Sequence, residues 1–185
     1  MALSRAEAVR LDEEDPLRGF RDRFVHDDPG RIYLDGNSLG RLPLATGERL
    51  TAIVSPWGAQ LVSGWHDWID APARVGDLLA EHVLGARPGE VVVGDSTTVN
   101  LYKLCAAVLD SREGAIVTDR GNFPTDRYVL EGLARAHGRE LIQFEADGLD
   151  GPQAEDVAEA CAQAGEVALV SLSHVAYRSG ALADV

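Results

Sequence analysis

The chain has 185 residues, of which 45% are hydrophobic and 25% are charged, and its formal net charge is -13 at pH 7. This length and composition are typical of a globular protein with a substantial core, and they exclude a disordered or fibrous chain. The acidic excess argues against nucleic acid as a partner, because binding to phosphate backbones relies on clustered Lys and Arg.

The first part of the chain is predicted to be mainly helical. Ser4 and Glu7 have capping-box spacing and should begin a helix that ends near Pro16. The run 32–34 is typical of a short strand, and it leads into a Gly- and Asn-containing loop at 35–40 that is expected to need unusual backbone angles. Further helices are predicted at 17–25, 44–54 and 75–84.

From residue 90 onward, short apolar runs alternate with amphipathic segments. The predicted strands are 90–93, 115–118, 140–144 and 167–172, and the predicted helices are 98–109, 125–136 and 153–164. Such alternation indicates a mostly parallel sheet flanked by helices on both faces, a three-layer α/β fold.

No membrane span, leader or metal site is predicted. The sequence contains no apolar run of about eighteen residues and opens with no apolar signal segment, so we expect a cytoplasmic protein without membrane association. Its histidines show no metal-ligand spacing. Cys105 and Cys161 stand apart from each other in apolar or small-residue surroundings and are predicted to be reduced core thiols.

Small hydroxyl residues lie between the apolar run 91–93 and the helix predicted to follow it. Backbone N–H groups at the N-terminus of that helix, with the hydroxyls of Ser96, Thr97 and Thr98, would suit a bound phosphate. Ordinary helix capping explains the same residues without any ligand. The glycine patterns of P-loop and Rossmann nucleotide sites are both absent from the sequence.

Two other unusual segments, 120–126 and 173–180, follow predicted strands. Ligands of open α/β sheets bind beyond the carboxyl ends of the strands, so these segments and the hydroxyl run indicate a cleft for a flat, phosphorylated, heteroaromatic ligand. Each residue also has a structural explanation. Phe123 could be a core anchor, Asp126 a charge favourable to a helix N-terminus, and Ser173 a partner for backbone groups.

Four segments together resemble kynureninase in order and spacing, over about residues 15 to 185. They are 33–40 (YLDGNSLG), 94–101 (GDSTTVNL), 122–128 (NFPTDRY) and 173–180 (SHVAYRSG). The resemblance implies a homodimeric enzyme of the aspartate-aminotransferase fold that uses pyridoxal 5'-phosphate (PLP). It implies hydrolysis of L-kynurenine, or its 3-hydroxy form, to anthranilate, or 3-hydroxyanthranilate, and L-alanine. Such an enzyme acts in tryptophan catabolism and NAD biosynthesis.

The resemblance also assigns site residues and domains. The cofactor-binding residues would be Thr97, Thr98, Phe123, Pro124, Thr125, Asp126 and Ser173, and the substrate-binding residues would be Asn37, Ser38 and His66. Residues 1–40 would form a helical arm with the substrate loop, and residues 41–185 would form part of the PLP-binding large domain.

Lys103 is the single lysine of the sequence and lies on the helix after the hydroxyl run. The family's Schiff-base lysine comes well after the segment that begins at Ser173. The expectation is therefore an N-terminal part of a kynureninase, without its C-terminal portion and small domain, that is inactive alone. Two alternatives remain open: another PLP lyase of the same fold, such as a cysteine desulfurase-like enzyme, or a non-catalytic interaction protein.

Overall fold

The computed structural model describes residues 3–183, apart from the side chain of Asp67. It divides into two compact units, Met1–Val91 and Val92–Val185. Across the described residues, no helix combines the length and the apolar character that crossing a membrane requires.

The first unit is helical, as predicted. Helix α1 begins after Ser4, whose hydroxyl accepts a hydrogen bond of 3.2 Å from the Glu7 amide, and it ends just before Asp15, the residue that precedes Pro16. The unit contains α1 (Arg5–Glu14), a 3-10 helix (Arg18–Arg23), α2 (Leu44–Gln60), a 3-10 turn (Leu61–Gly64), α3 (Trp65–Trp68), α4 (Ala71–Leu79) and a π-helical segment (Ala80–Leu84).

Two predicted strands are wrong. Residues 32–34 and 90–93 have irregular backbone, and most of their apolar side chains are exposed: Ile32 is 86% exposed and Val92 is 74% exposed. β-prone residues form a strand only against a neighbouring strand, and none of the described residues pairs with either run.

The predicted loop at 35–40 is present, but it does not need unusual backbone angles. The Asp35 carbonyl accepts hydrogen bonds from the amides of Ser38 and Leu39 at 3.2 and 3.3 Å. Gly36 and Gly40 are not among the glycines with positive φ, so that expectation was wrong. The turn is closed by ordinary backbone hydrogen bonds.

The second unit confirms the predicted strand and helix alternation. It contains α5 (Thr97–Ser111), β1 (Ala115–Asp119), α6 (Pro124–His137), β2 (Leu141–Phe144), α7 (Ala154–Ala164) and β3 (Val167–Val170). The three strands are parallel in the order β2-β1-β3. Ile116 of β1 is opposite Leu141 of β2 and Leu169 of β3.

Strand β1 is the centre of the core because both of its faces are covered. All five of its residues are buried. Ile116 packs with Cys105 and Leu109 of α5 and with Leu130 of α6. Connections between parallel strands are right-handed as a rule, and the connections β1-α6-β2 and β2-α7-β3 cross the sheet in opposite directions. This rule puts α6 and α7 on opposite faces, which makes three layers. Both cysteines are free, but only Cys105 is a core thiol, since Cys161 is half-buried.

Candidate functional site

The hydroxyl run lies at the N-terminus of α5, and one of its residues caps that helix. Ser96 is the N-cap, and its hydroxyl accepts a hydrogen bond of 3.4 Å from the Val99 amide. Thr97 and Thr98 are the first two helical residues, where backbone amides have no partner within the helix. The first turn contains no acidic residue, so no side chain of that turn offsets the positive end of the helix dipole.

The loop before α5 is tied to the helix by side chains. Asp95 has a φ of 47°, which is uncommon for a residue other than glycine, and its carboxylate forms a salt bridge with Lys103. Asn100 donates a hydrogen bond of 2.8 Å from its side-chain amide to the Gly94 carbonyl. The single lysine of the chain is therefore engaged with a carboxylate.

Asn122 links the ends of β1 and β3. Its Nδ2 donates to Thr118 Oγ1 at 3.1 Å and to the Ser171 carbonyl at 3.4 Å. Its Oδ1 accepts from the Phe123 amide and from Ser173 Oγ, both at 2.7 Å. Asn122 is 4% exposed; its hydrogen bond to Thr118 is buried, and the other three are partly buried.

Phe123 follows Asn122 and precedes α6. The residue is 43% exposed, and its ring packs against Tyr177 in a T-shaped arrangement, with 5.0 Å between ring centroids and 74° between ring planes. This edge-to-face geometry is the favoured one for an aromatic pair. Phe123 is therefore not the core anchor that one interpretation suggested, because the residue packs against Tyr177 and is still partly open to solvent.

The first turn of α6 contains Pro124, Thr125 and Asp126. Proline suits the first helical position because its missing N–H would have no helical partner there. Partial burial raises the pKa of Asp126. Burial also raises the pKa of the Cys105 thiol on α5, and the charge of Asp126 adds to that effect. Asp126 therefore interacts electrostatically with α5 and also favours the N-terminus of its own helix.

A small cleft opens at the carboxyl ends of the strands. It has a volume of about 80 Å³, and its lining includes Asp119, Asn122, Ser173 and Tyr177. Burial raises the pKa of Asp119, while hydrogen bonds from the backbone amides of Gly121, Asp119 itself and Asn122, and the charge of Arg127, oppose the shift. The cleft thus combines a buried carboxyl group, an amide, a hydroxyl and an aromatic ring.

The residues predicted to face the substrate lie in the first unit. Asn37 and Ser38 are in the turn at 35–40, where Ser38 Oγ donates to the Asp35 carboxylate at 2.7 Å. His66 is an exposed residue of α3. It lines a cavity of about 420 Å³ together with Arg49, Trp68 and Arg74, among others.

Within the second unit, the predicted cofactor-binding residues lie at the N-termini of α5 and α6 and in the segment after β3. Phe123 and Ser173 are each one hydrogen bond from Asn122, and α5, which carries Thr97 and Thr98, packs against α6. Asn122 was not among the residues predicted for the site. Its position three residues after the end of a buried strand was a usable signal, since Asn side chains readily bond nearby backbone groups.

The chain is similar in sequence to bacterial kynureninases. It is 38% identical over 192 residues to the kynureninase of Burkholderia pseudomallei, which covers 98% of this chain and 44% of that protein. It is 40% identical over 198 residues to the kynureninase of Xanthomonas axonopodis pv. citri, covering 99% of this chain and 47% of that protein. The chain therefore spans less than half the length of these relatives. No protein-family model matches it.

A solved structure gives the fold. It is that of a C-DES mutant with glycine covalently linked to the PLP cofactor, and it superposes with a TM-score of 0.65 at 21% identity. The superposition covers 84% of this chain and 41% of the C-DES chain. The chain is therefore a homologue of kynureninases along nearly its whole length, and it has the fold of PLP-dependent, aminotransferase-like enzymes.

Proposed function

We propose that this chain forms the cofactor-binding part of a kynureninase-type hydrolase that uses PLP. The reaction would cleave the Cβ–Cγ bond of L-kynurenine, or of its 3-hydroxy form, to give an anthranilate and L-alanine. The observation that carries the proposal is the 38–40% identity to kynureninases over 98–99% of the chain.

The residues of the second unit fit the parts of PLP. The phosphate would bind at the N-terminus of α5, where Thr97 and Thr98 offer amides and hydroxyls. The ring would stack on Phe123, with polar contacts from Ser173 and from the α6 turn that contains Pro124, Thr125 and Asp126. When bound, PLP withdraws electrons from the α-carbon of an amino acid.

The substrate would be bound by groups of the first unit. Asn37 supplies an amide, and Ser38 supplies a hydroxyl that Asp35 orients. His66 shares its cavity with Trp68 and two arginines, a combination of aromatic and cationic groups that suits an aromatic amino acid with a carboxylate. On this proposal, residues 1–40 provide an arm and the substrate loop, and residues 41–185 belong to the PLP-binding large domain.

Lys103 supports the further proposal that this chain alone does not turn over kynurenine. It is the single lysine of the sequence, and its ammonium group is paired with Asp95 before α5. A covalent link to PLP would require that group to leave its carboxylate. We also propose that the protein is a cytoplasmic homodimer. It would act in tryptophan catabolism and NAD biosynthesis, the metabolism to which kynurenine belongs.

Equilibrium dialysis of the purified chain against PLP, pyridoxal and inorganic phosphate tests the proposal. We expect PLP to bind at least about tenfold more tightly than pyridoxal, because pyridoxal lacks the group held by the α5 N-terminus. Inorganic phosphate is expected to compete with PLP. With kynurenine added, absorbance and fluorescence should show no anthranilate.

Equal affinity for PLP and pyridoxal, or no binding of either, would contradict the cofactor assignment. Formation of anthranilate by the chain alone would contradict the proposal that this chain, with Lys103 as its single lysine, does not turn over kynurenine. A Thr97→Val, Thr98→Val double variant is the control, since it removes the hydroxyls and keeps the backbone amides. The double variant should weaken the binding of PLP more than the binding of pyridoxal.

A further inference from the structure

We propose that Asn122 is a positioning residue that fixes Phe123 and Ser173 in the orientation needed to hold a planar cofactor ring. The inference rests on the proposed function, because the ring it concerns is that of PLP. Asn122 itself acts through its two neighbours: it bonds to the Phe123 amide and to the Ser173 hydroxyl, each at 2.7 Å.

The side-chain oxygen of Asn122 accepts two hydrogen bonds, one from the Phe123 amide and one from the Ser173 hydroxyl. Its Nδ2 donates toward Thr118 Oγ1 and the Ser171 carbonyl, which are joined to each other by a hydrogen bond of 2.8 Å and so lie on the same side of Nδ2. The orientation of the amide is also determined: reversing it would point the NH2 group at the Phe123 N–H, a donor against a donor. The side chain therefore has one satisfied arrangement.

This arrangement joins segments that are far apart in the chain. The bond between Asn122 and Ser173 spans 51 residues, and the Phe123 ring contacts Tyr177 of the same second segment. Asn122 thus sets the backbone position of Phe123 on one side and the hydroxyl direction of Ser173 on the other. Without its oxygen, both groups lose their partner at a position that is only 4% exposed.

Thr118 offers a matched control. Its Oγ1 donates to the Ser171 carbonyl at 2.8 Å, so Thr118→Val also removes a buried bond between β1 and the segment after β3. Thr118 Oγ1 also accepts a hydrogen bond from Asn122 Nδ2, but among the described residues it forms none with Phe123 or Ser173. Thr118→Val therefore loosens the strand ends without removing the acceptor of those two groups.

The experiment compares Asn122→Ala, Asn122→Asp, Thr118→Val and the parent chain. The readouts are the PLP dissociation constant by equilibrium dialysis, the amide hydrogen-exchange rate of Phe123 by NMR, and the thermal unfolding midpoint without ligand. Asn122→Ala should weaken PLP binding about tenfold and speed exchange at Phe123, because the acceptor is lost. Thr118→Val should lower the midpoint while changing PLP affinity less than about threefold.

Asn122→Asp distinguishes the acceptor oxygen of the side chain from its NH2 donor. It keeps an acceptor for Phe123 and Ser173 but loses both donated bonds, so it should lower the midpoint and retain slow exchange at Phe123. Its PLP affinity should lie closer to that of the parent than to that of Asn122→Ala.

The inference is overturned if Asn122→Ala leaves the Phe123 amide protected, or if Thr118→Val weakens PLP binding as much as Asn122→Ala does. If the parent chain binds no PLP, the proposed function fails, and with it the ligand named here. Exchange at Phe123 would then still decide whether Asn122 holds the loop.

Discussion

At the scale of single residues, the charge of Asp95 bears on phosphate binding at the N-terminus of α5. Its carboxylate stands two residues before the proposed phosphate position, where a free negative charge would repel a phosphate. The ammonium group of Lys103, two turns into α5, pairs with it. The pair is more than one-third exposed on both sides, so its contribution should be modest and sensitive to salt.

Lys103→Met should therefore weaken PLP binding by about two- to fivefold at low salt, because it leaves the Asp95 charge uncompensated. The measurement is PLP affinity by equilibrium dialysis at about 0.02 and 0.5 M salt, with a smaller difference between variant and parent at the higher salt. Asp95→Asn is the matched variant, since it removes the charge and asparagine also tolerates positive φ. It should bind PLP at least as tightly as the parent. Equal weakening by both substitutions would show that the geometry of the pair matters more than its charge.

The hydroxyl run shows how far single-residue reasoning extends. The sequence left capping and phosphate binding as competing explanations, and the structure gives the cap to Ser96 alone. The Ser96 hydroxyl accepts from the Val99 amide, so the backbone amides of Thr97 and Thr98 are not used by the cap. Capping by Ser96 therefore does not account for Thr97 and Thr98, a distinction that depends on the position at which the helix begins.

At the scale of elements, the close approach of β1 and β3 depends on Gly114. Its φ is 112°, and a Cβ at this position would lie 2.6 Å from the Glu166 carbonyl oxygen. Because backbone occupies that space, no rotamer change can relieve the contact. Gly114 therefore permits the adjacent bond from the Ala115 amide to the Glu166 carbonyl, which is 2.8 Å long.

Gly114→Ala should lower the free energy of unfolding by about 2 kcal/mol or more, because it adds both a clash and an unfavourable φ. Urea denaturation followed by circular dichroism measures the change. Gly132→Ala is the control: Gly132 lies inside α6 with no atom within 4 Å of its added Cβ, so alanine should stabilise the protein by about 0.5 to 1 kcal/mol. A Gly114→Ala protein as stable as the parent would contradict this account of the strand junction.

The helices and strands also differ in how well the sequence predicted them. Helices α1, α5 and α6 begin at local signals, namely Ser4, Ser96 and Pro124, which act within a few residues. Residues 90–93 have as apolar a composition as β1, but only β1 has neighbours on both sides. Strand formation depends on a distant partner, and a local pattern does not contain that information.

At the scale of the whole molecule, the apolar core is unevenly distributed between the two units. Among the described residues of the first unit, Ala80 is the only apolar side chain counted in the buried core; the others belong to the second unit. Large apolar side chains of the first unit, such as Leu34 at 89% and Val62 at 88% exposure, lie open to solvent. Burial of apolar area is the main stabilising contribution, so the second unit should be the more stable.

Hydrogen exchange followed by mass spectrometry should show this difference. We expect peptides from β1 and α6 to exchange slowest, and peptides from α2 to exchange at least about tenfold faster, because α2 has no buried residue. In Gly114→Ala, protection should fall in β1 and remain unchanged in α2. Equal protection of α2 and β1 would contradict the assignment of the stable core to the second unit.

The sequence by itself determined most of the helices of both units, the parallel α/β architecture of the second, and the position of the unusual segments after its strands. These features follow from caps, periodicity and the rule that parallel strands end at one edge. Only the tertiary structure decided which apolar runs are strands, and only it revealed Asn122 as the link between Phe123 and Ser173. The reason is physical: a hydrogen bond across 51 residues depends on the register of β1 and β3, which no local sequence pattern encodes.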